Sequence, residues 1–262
     1  MREDWSIMDY YNVTRINSQM ATDINLLLTV CQSDCSYQIL SFTDNDYNIF
    51  PDLPCFFLSY YNETLIGFLS LFVPNNEECE LYSFIHPSYR NQGIFTHLLD
   101  MALVIIEKYN IRQMLVPVTP DNRVAALVLE SMEFEKYYSE YTLIYQASNR
   151  INHNIPVHIM SDQLVLLDKN MSYTLYLKDN LIGSCHIDDT GESFTIYSFE
   201  ILPGYRQAGY GSYLLDRIII DLQSKNSSKN ILLQVSGENP VAYNMYLRHN
   251  FSILSQIDYW VY

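Results

Sequence analysis

The sequence is short of basic residues, of paired cysteines and of long apolar runs, and each shortage excludes a class of protein. Its 262 residues contain 15 Lys and Arg against 30 Asp and Glu, a formal net charge of −15. A nucleic-acid-binding protein needs a basic surface to neutralise phosphates, so no nucleic-acid partner is expected. No apolar run approaches the roughly 20 residues of a membrane-spanning helix, so no membrane span is expected either.

The five cysteines are odd in number and unevenly spaced, which does not favour a disulfide framework or a zinc site. Cys31 and Cys35 have no histidine or cysteine nearby to complete a metal site, and we interpret them as one face of a helix. The polar stretch Met1–Trp5 lacks the apolar segment of a signal peptide. These features predict a cytoplasmic protein without a metal.

Instead, the chain contains an internal repeat. Pro203-Gly204-Tyr205-Arg206 matches Pro87-Ser88-Tyr89-Arg90, and Asn239 with Ala242 matches Asn122 with Ala125. The offset between the copies is 116 to 117 residues, which indicates a tandem duplication. With the polar run Gln146–Asn154 as linker, the sequence predicts one domain over residues 1–148 and another over residues 149–262.

Hydrophobic periodicity predicts alternating strands and helices in both copies. In the first copy it predicts a helix over 18–33 with Ser18 as N-cap, a hairpin over 55–72, a strand over 80–85, a helix to about Tyr109, a strand over 114–118, a helix from Asp121-Asn122 to Met132, and a strand over 137–145. The second copy begins near the counterpart of residue 30, so the counterpart of the first helix is largely missing.

The most informative stretch runs from Ile201 to Ser212, where a predicted strand meets a predicted helix. Arg206, Gly209 and Gly211 form R-x-x-G-x-G there. Glycines let a backbone adopt positive φ and direct several N–H groups at one point, and a helix start adds unpaired amides. Phosphate or pyrophosphate is the expected ligand, and a tight turn with glycines for packing is the alternative. Neither G-x-G-x-x-G nor a P-loop applies.

A second motif follows about thirty residues later. Asn239, Ala242, Tyr246 and Phe251 form N-x-x-A-x-x-x-Y-x-x-x-x-F at the start of a predicted helix. Together the two motifs resemble the GNAT superfamily of acyl-CoA N-acyltransferases over the last 110 or so residues. The resemblance implies an α/β (α+β) fold of two tandem GNAT-like domains, each a mixed, mostly antiparallel sheet flanked by helices.

The resemblance also implies an activity: transfer of an acetyl group from acetyl-CoA to an amine by direct attack in a ternary complex. In this family the glycine loop holds the coenzyme A pyrophosphate, and backbone N–H groups at the end of the preceding strand bond the pantetheine. The residues implied to contact coenzyme A are Ile201, Leu202, Arg206, Gln207, Ala208, Gly209, Tyr210, Gly211, Ser212, Asn239 and Tyr246.

The catalytic residues expected from the resemblance are Tyr246 and Glu200. A phenol, with a pKa of about 10, stays protonated at neutral pH and can protonate a departing thiolate. Tyr246 is one of 23 tyrosines, and simple packing is its alternative role. Glu200 is the first candidate for the general base; His186, Thr195 and a water chain remain open.

The two copies differ at positions that matter for this chemistry. Where the second has Gly211 the first has Phe95, and where the second has Tyr246 the first has Leu129. We therefore expect catalysis in the second domain and a non-catalytic first domain, whose ability to bind coenzyme A stays open.

The charge distribution favours a cationic small-molecule or peptide acceptor. Residues 1–145 contain 19 Asp and Glu against 7 Lys and Arg, and residues 146–262 contain 11 against 8. The competing hypothesis is a non-catalytic coenzyme A-binding or protein-interaction module. A third, an aminoacyl-transferring tandem relative, needs tRNA and conflicts with the acidic charge.

Overall fold

The structure, a computed structural model, describes residues 8–147 and 164–262. The helices are α1 Ser18–Ser33, α2 Ile94–Lys108, α3 Arg123–Ser131, α4 Tyr210–Lys225 and α5 Pro240–Arg248. The strands are β1 Met8–Val13, β2 Phe56–Tyr61, β3 Thr64–Phe72, β4 Glu78–Ile85, β5 Gln113–Val118, β6 Glu135–Tyr145, β7 Leu164–Asp168, β8 Ser172–Leu177, β9 Asn180–Asp189, β10 Ser193–Ile201, β11 Asn230–Ser236 and β12 Phe251–Val261. Across the described ranges, no helix is both long and apolar enough to cross a membrane. Most of the predicted linker Gln146–Asn154 lies outside the described residues.

The chain divides into two compact units, each built around six strands. The first unit comprises Met1–Tyr137 with Ile257–Tyr262, and the second comprises Tyr138–Gln256. The strand order is β1-β2-β3-β4-β5-β12 in the first and β6-β11-β10-β9-β8-β7 in the second. The pairs β4–β5 and β10–β11 are parallel, and the other pairs within each unit are antiparallel. The predicted mixed, mostly antiparallel sheets are confirmed.

The closing strands of the two repeats are exchanged between the units. β6 ends the first repeat but pairs with β11, and β12 ends the second repeat but pairs with β5. Leu143 of β6 is fully buried in the core of the second unit, and Trp260 of β12 is buried in the core of the first. Each unit therefore takes one strand from the other repeat, an arrangement that the repeat boundary at residue 148 does not reveal.

Local signals explain most of the element boundaries. Asn62 and Glu63 both have positive φ, 45° and 63°, as a two-residue hairpin turn requires. Asn122 and Asn239 cap α3 and α5, each accepting the backbone N–H three residues on at 3.1 Å. The predicted cap of α1 is wrong by one residue, because Asn17, and not Ser18, accepts the N–H of Met20.

Helix α1 covers one face of the first sheet. Tyr60 on that face donates a hydrogen bond to Asp23 of α1 at 2.9 Å. Ile24, Leu27 and Cys31 bury the helix against the sheet. The part of the second repeat that precedes β7 lies outside the described residues, so the missing counterpart of the first helix stays a prediction.

We predict that β6 is essential to the stability of the second unit. Leu143→Ala removes a fully buried side chain from its core and should lower the free energy of unfolding by about 2–5 kcal/mol. Ile144→Ala, on the next residue of the same strand and only partly buried, is the control and should cost less. Urea unfolding measures both, and equal losses would contradict the role of β6 in this core.

Candidate active site

The loop between β10 and α4 has the backbone geometry that an anion-binding turn needs. Gln207 and Gly209 have positive φ, 62° and 87°. Gly209 is the N-cap of α4 and offers no side chain to the first turn. The amides of Gly211 and Ser212, at the second and third helical positions, have no acceptor within the helix and point out of its start. Such amides, at the positive end of a helix dipole, attract phosphate.

Gly211 lies where α4 approaches α5. A Cβ atom added at Gly211 would lie 3.2 Å from Sδ of Met245 and 3.7 Å from Cγ1 of Ile201. A larger side chain would thus have to displace the α5 methionine. The glycine keeps this junction narrow beside the loop.

Arg206 does not point into the loop as a free cation. Its Nε donates to the carbonyl of Ile201 at 2.7 Å, and its Nη2 lies 3.8 Å from the Glu200 carboxylate. Arg90 in the first repeat makes the equivalent bond to Ile85 at 3.2 Å. The arginine of the motif therefore ties the loop to the end of the strand, and its backbone N–H is used as well, because it donates to the carbonyl of Pro203 at 3.3 Å.

Strand β10 contains a bulge that β4 lacks. Tyr197 pairs with His186 and Glu200 pairs with Ser184, so three steps on β10 match two on β9. The extra residue is Ser198, with φ of 49°. In the first repeat the register of β3 and β4 continues without a shift. A bulge residue leaves the ladder, so its backbone polar groups are open to another partner.

The bulge corrects one sequence-based assignment and adds a residue that the sequence analysis missed. The N–H of Leu202, expected to bond pantetheine, donates to the carbonyl of Ile182 at 2.9 Å and is already used. Ser198 offers such groups instead. Its signal was present in the repeat: the offset is 115 residues between Tyr197 and Tyr82 and 116 between Ile201 and Ile85, which marks one inserted residue.

Tyr246 lies on α5 beside the bulge. Its ring packs edge-on against Phe199, the residue after Ser198, at 6.1 Å, and against Phe251 at 5.9 Å. Only 5% of Tyr246 is exposed. Burial, and to a smaller extent Cys185 nearby, raises the pKa of its phenol, so the hydroxyl stays protonated at neutral and mildly alkaline pH.

The candidate bases lie on the other side of the bulge. The side chain of Glu200 is 52% exposed and faces Arg206. His186 Nδ1 is 2.7 Å from the Ser172 hydroxyl, and the imidazole stacks on Tyr197 at 5.5 Å. Thr195 is paired with Asp188 in the β9–β10 ladder. The choice among Glu200, His186, Thr195 and a water chain stays a prediction.

The first unit has the same loop and a cavity beside it. Asn91 and Gly93 have φ of 59° and 80°, close to Gln207 and Gly209. A cavity of about 430 Å³ lies between β4, β5, α3 and this loop, and Leu129 lines it where the second repeat has Tyr246. Thr119, another lining residue, has a buried hydroxyl without a hydrogen-bond partner. The substitution by Phe95 has therefore not closed the cleft.

A metal site is not formed by the residues described. No group of three or more His, Cys, Asp or Glu side chains in residues 8–147 and 164–262 is arranged to hold an ion.

Comparisons with known proteins agree with this architecture. Solved structures of similar fold include a GCN5-related N-acetyltransferase from Sphaerobacter thermophilus, with a TM-score of 0.71 and 11% identity over 98% of this chain and 96% of that one. A tandem GNAT protein from the clavulanic acid biosynthesis pathway has a TM-score of 0.66 and 11% identity over 97% and 98%. No curated protein sequence matches. The model of the Acetyltransferase (GNAT) family matches residues 20–134 and again 135–251. The chain therefore belongs to the Acetyltransferase (GNAT) family, as a tandem of two GNAT-like repeats.

Proposed function

We propose that this protein is an N-acetyltransferase that moves an acetyl group from acetyl-CoA to an amine, and that the second unit performs the reaction. Membership of the family supports acyl transfer in general. The observation on which the assignment to the second unit depends is the meeting of the Ser198 bulge with Tyr246 through Phe199. The first unit has neither the bulge nor the phenol.

The residues of the second unit fit coenzyme A. The first turn of α4 presents the amides of Gly211 and Ser212 without a capping side chain, which suits a pyrophosphate. The ladder between β10 and β11 ends at Ile196 and Leu233, just before the bulge. A narrow pantetheine arm fits where a parallel ladder ends early. When bound, acetyl-CoA supplies the activated acyl group.

The chemistry divides between the two sides of the bulge. The amine nitrogen attacks the thioester carbonyl, a C–N bond forms and the C–S bond breaks. The backbone N–H of Ser198, outside the ladder, stabilises the negative charge that develops on the carbonyl oxygen, an effect worth roughly 3–4 kcal/mol. Tyr246 gives its proton to the leaving sulfur, and the ammonium proton passes to a base or to water on the opposite side.

We propose that the first unit binds coenzyme A without turning it over. Its loop repeats the φ values of the second, and its cavity contains the unpartnered hydroxyl of Thr119. Leu129 has no proton to donate at the position of Tyr246. This proposal and the non-catalytic alternative for the whole chain are separated by the experiments below.

The phenol of Tyr246 can be tested by Tyr246→Phe. The substitution keeps the ring that packs on Phe199 and removes the proton, so folding should be unaffected while kcat falls at least tenfold, at constant coenzyme A affinity. Tyr243→Phe, on the same helix with its ring against Tyr141 at 4.8 Å, is the control and should keep full activity. Unchanged turnover in Tyr246→Phe would remove Tyr246 from the acid role.

The glycine loop of the second unit can be tested by Gly209→Ala. Alanine at φ of 87° is strained by about 1–2 kcal/mol, so the loop should distort and coenzyme A should bind at least about fivefold more weakly. Gly204→Ala, in the same loop but with no atom within 4 Å of the added Cβ and no positive φ, should bind normally. Calorimetry measures both, and equal affinities would show that this loop does not hold the phosphates.

The first-unit site can be tested by the matched variant Gly93→Ala, at φ of 80°. We expect two coenzyme A sites in the wild-type protein by calorimetry. Gly93→Ala should weaken one of them and leave kcat within twofold, because turnover belongs to the other unit. A single site in the wild type, or a loss of kcat in Gly93→Ala, would contradict the proposed role of the first unit.

A further inference from the structure

The two units differ in polarity on equivalent faces of their strands. In the first unit, two cross-strand rows face α1: one consists of Phe56, Ser70 and Tyr82, and the other of Leu58, Phe68 and Phe84. Phe56, Leu58, Phe68 and Phe84 are almost fully buried there. Phe42, from the segment after α1, stacks on Phe56 and Tyr82 at 6.3 Å each.

The equivalent rows of the second unit are polar on β8, β9 and β10, and the second row continues to the exposed Leu167 on β7. Their members are Ser172, His186 and Tyr197 in one row, and Thr174, Ser184 and Glu200 in the other. None of the six is buried, and Tyr197 and Glu200 are about half exposed. The informative point is which polar groups stand where the first unit has apolar side chains.

These six residues, the polar face, border the reacting centre. Tyr197 and Glu200 flank the bulge residue Ser198 on the polar face, while Phe199 points from the same bulge to Tyr246 on the opposite face. The β10–β11 ladder ends one residue before Tyr197. A molecule on the polar face can therefore approach the acyl group without displacing the phenol, which lies on the opposite face.

The groups on the polar face match a hydroxylated cation. Glu200 supplies a carboxylate, and its contact with Arg206 at 3.8 Å between exposed side chains is too weak to withhold it. Tyr197 and His186 stack with an interplanar angle of 28° and present flat, amphipathic rings. Ser184 and Thr174 add hydroxyls that both donate and accept. Only the carboxylate serves a plain polyamine, whereas all of these groups serve an amine that bears hydroxyls on a ring.

We infer that the polar face binds the acceptor, and that the acceptor is a cationic amine with several hydroxyl groups, of the amino-sugar or aminoglycoside class. Glu200 holds an ammonium group, Tyr197 and His186 contact the ring, and Ser184 and Thr174 bind its hydroxyls. The inference rests on the proposed function for the location of the reacting amine, but the binding surface itself is testable without turnover.

The test is a calorimetric titration of kanamycin and of spermidine into the full chain saturated with coenzyme A. We expect kanamycin to bind at least tenfold more tightly than spermidine. Glu200→Gln and Tyr197→Ala should each weaken kanamycin at least tenfold, while Tyr197→Phe, which keeps the ring, stays within twofold. Coenzyme A affinity should not change in any variant.

The control is Glu192→Gln, which removes an exposed carboxylate at the other end of β10 and should leave kanamycin affinity within twofold. The polar-face assignment would be overturned if kanamycin affinity did not change in Glu200→Gln and Tyr197→Ala, or if spermidine bound as tightly as kanamycin. The two proposals fail separately. Binding that follows these variants without any acetyl transfer contradicts the proposed function alone, and acetyl transfer to an amine that ignores the variants contradicts this inference alone.

Discussion

A backbone group that leaves the ladder of a sheet must find another partner, and β10 releases such groups at Ser198. At the bulge, Phe199 points to one face of the sheet, where it contacts Tyr246. Tyr197 and Glu200 lie on the other face. It also coincides with the end of pairing between β10 and β11. The proposed acetyl-CoA site, the phenol and the polar face meet at this point because the strand contains one extra residue there.

The two repeats show which parts of such a site are easily kept and which are easily lost. The glycine turn, the strand-end arginine bond and the asparagine cap of the last helix are the same in both units. The bulge, the phenol and the polar face occur in the second unit alone. The shared features stabilise a strand-to-helix turn whatever it binds. The first unit forms its sheet without the unshared features, so they are not needed for the fold.

Much of this could be predicted from the sequence, because its signals are local. The hairpin turn at Asn62-Glu63, the cap at Asn239 and the glycine turn at Gly209 depend on residues close together in the chain. The course of Arg206 could not be predicted, since its partner is a backbone carbonyl made accessible by the fold. The first-unit cavity could not be predicted from Phe95, because the backbone and the neighbouring side chains decide whether a cleft stays open.

The long-range features could not be predicted from the sequence. Periodicity predicted a strand over 137–145, but it gives no information on which neighbouring strand β6 joins, because the same alternation of polar and apolar faces fits more than one partner. The bulge could be predicted only in part. The unequal offset of the repeat is visible in the sequence, but it does not show where the extra residue lies or how it turns the strand.

The strand exchange has a consequence for how the protein is made. The first unit includes residues 257–262, and Trp260 completes its core. During synthesis from the N-terminus, the sheet of the first unit therefore waits with an open edge at β5 until the second repeat has left the ribosome. An open edge invites wrong pairing, and β6, the closing strand of its own repeat, is the nearest strand in the chain. Folding of the first unit becomes tied to that of the second, so a nascent chain must keep its first half from closing early.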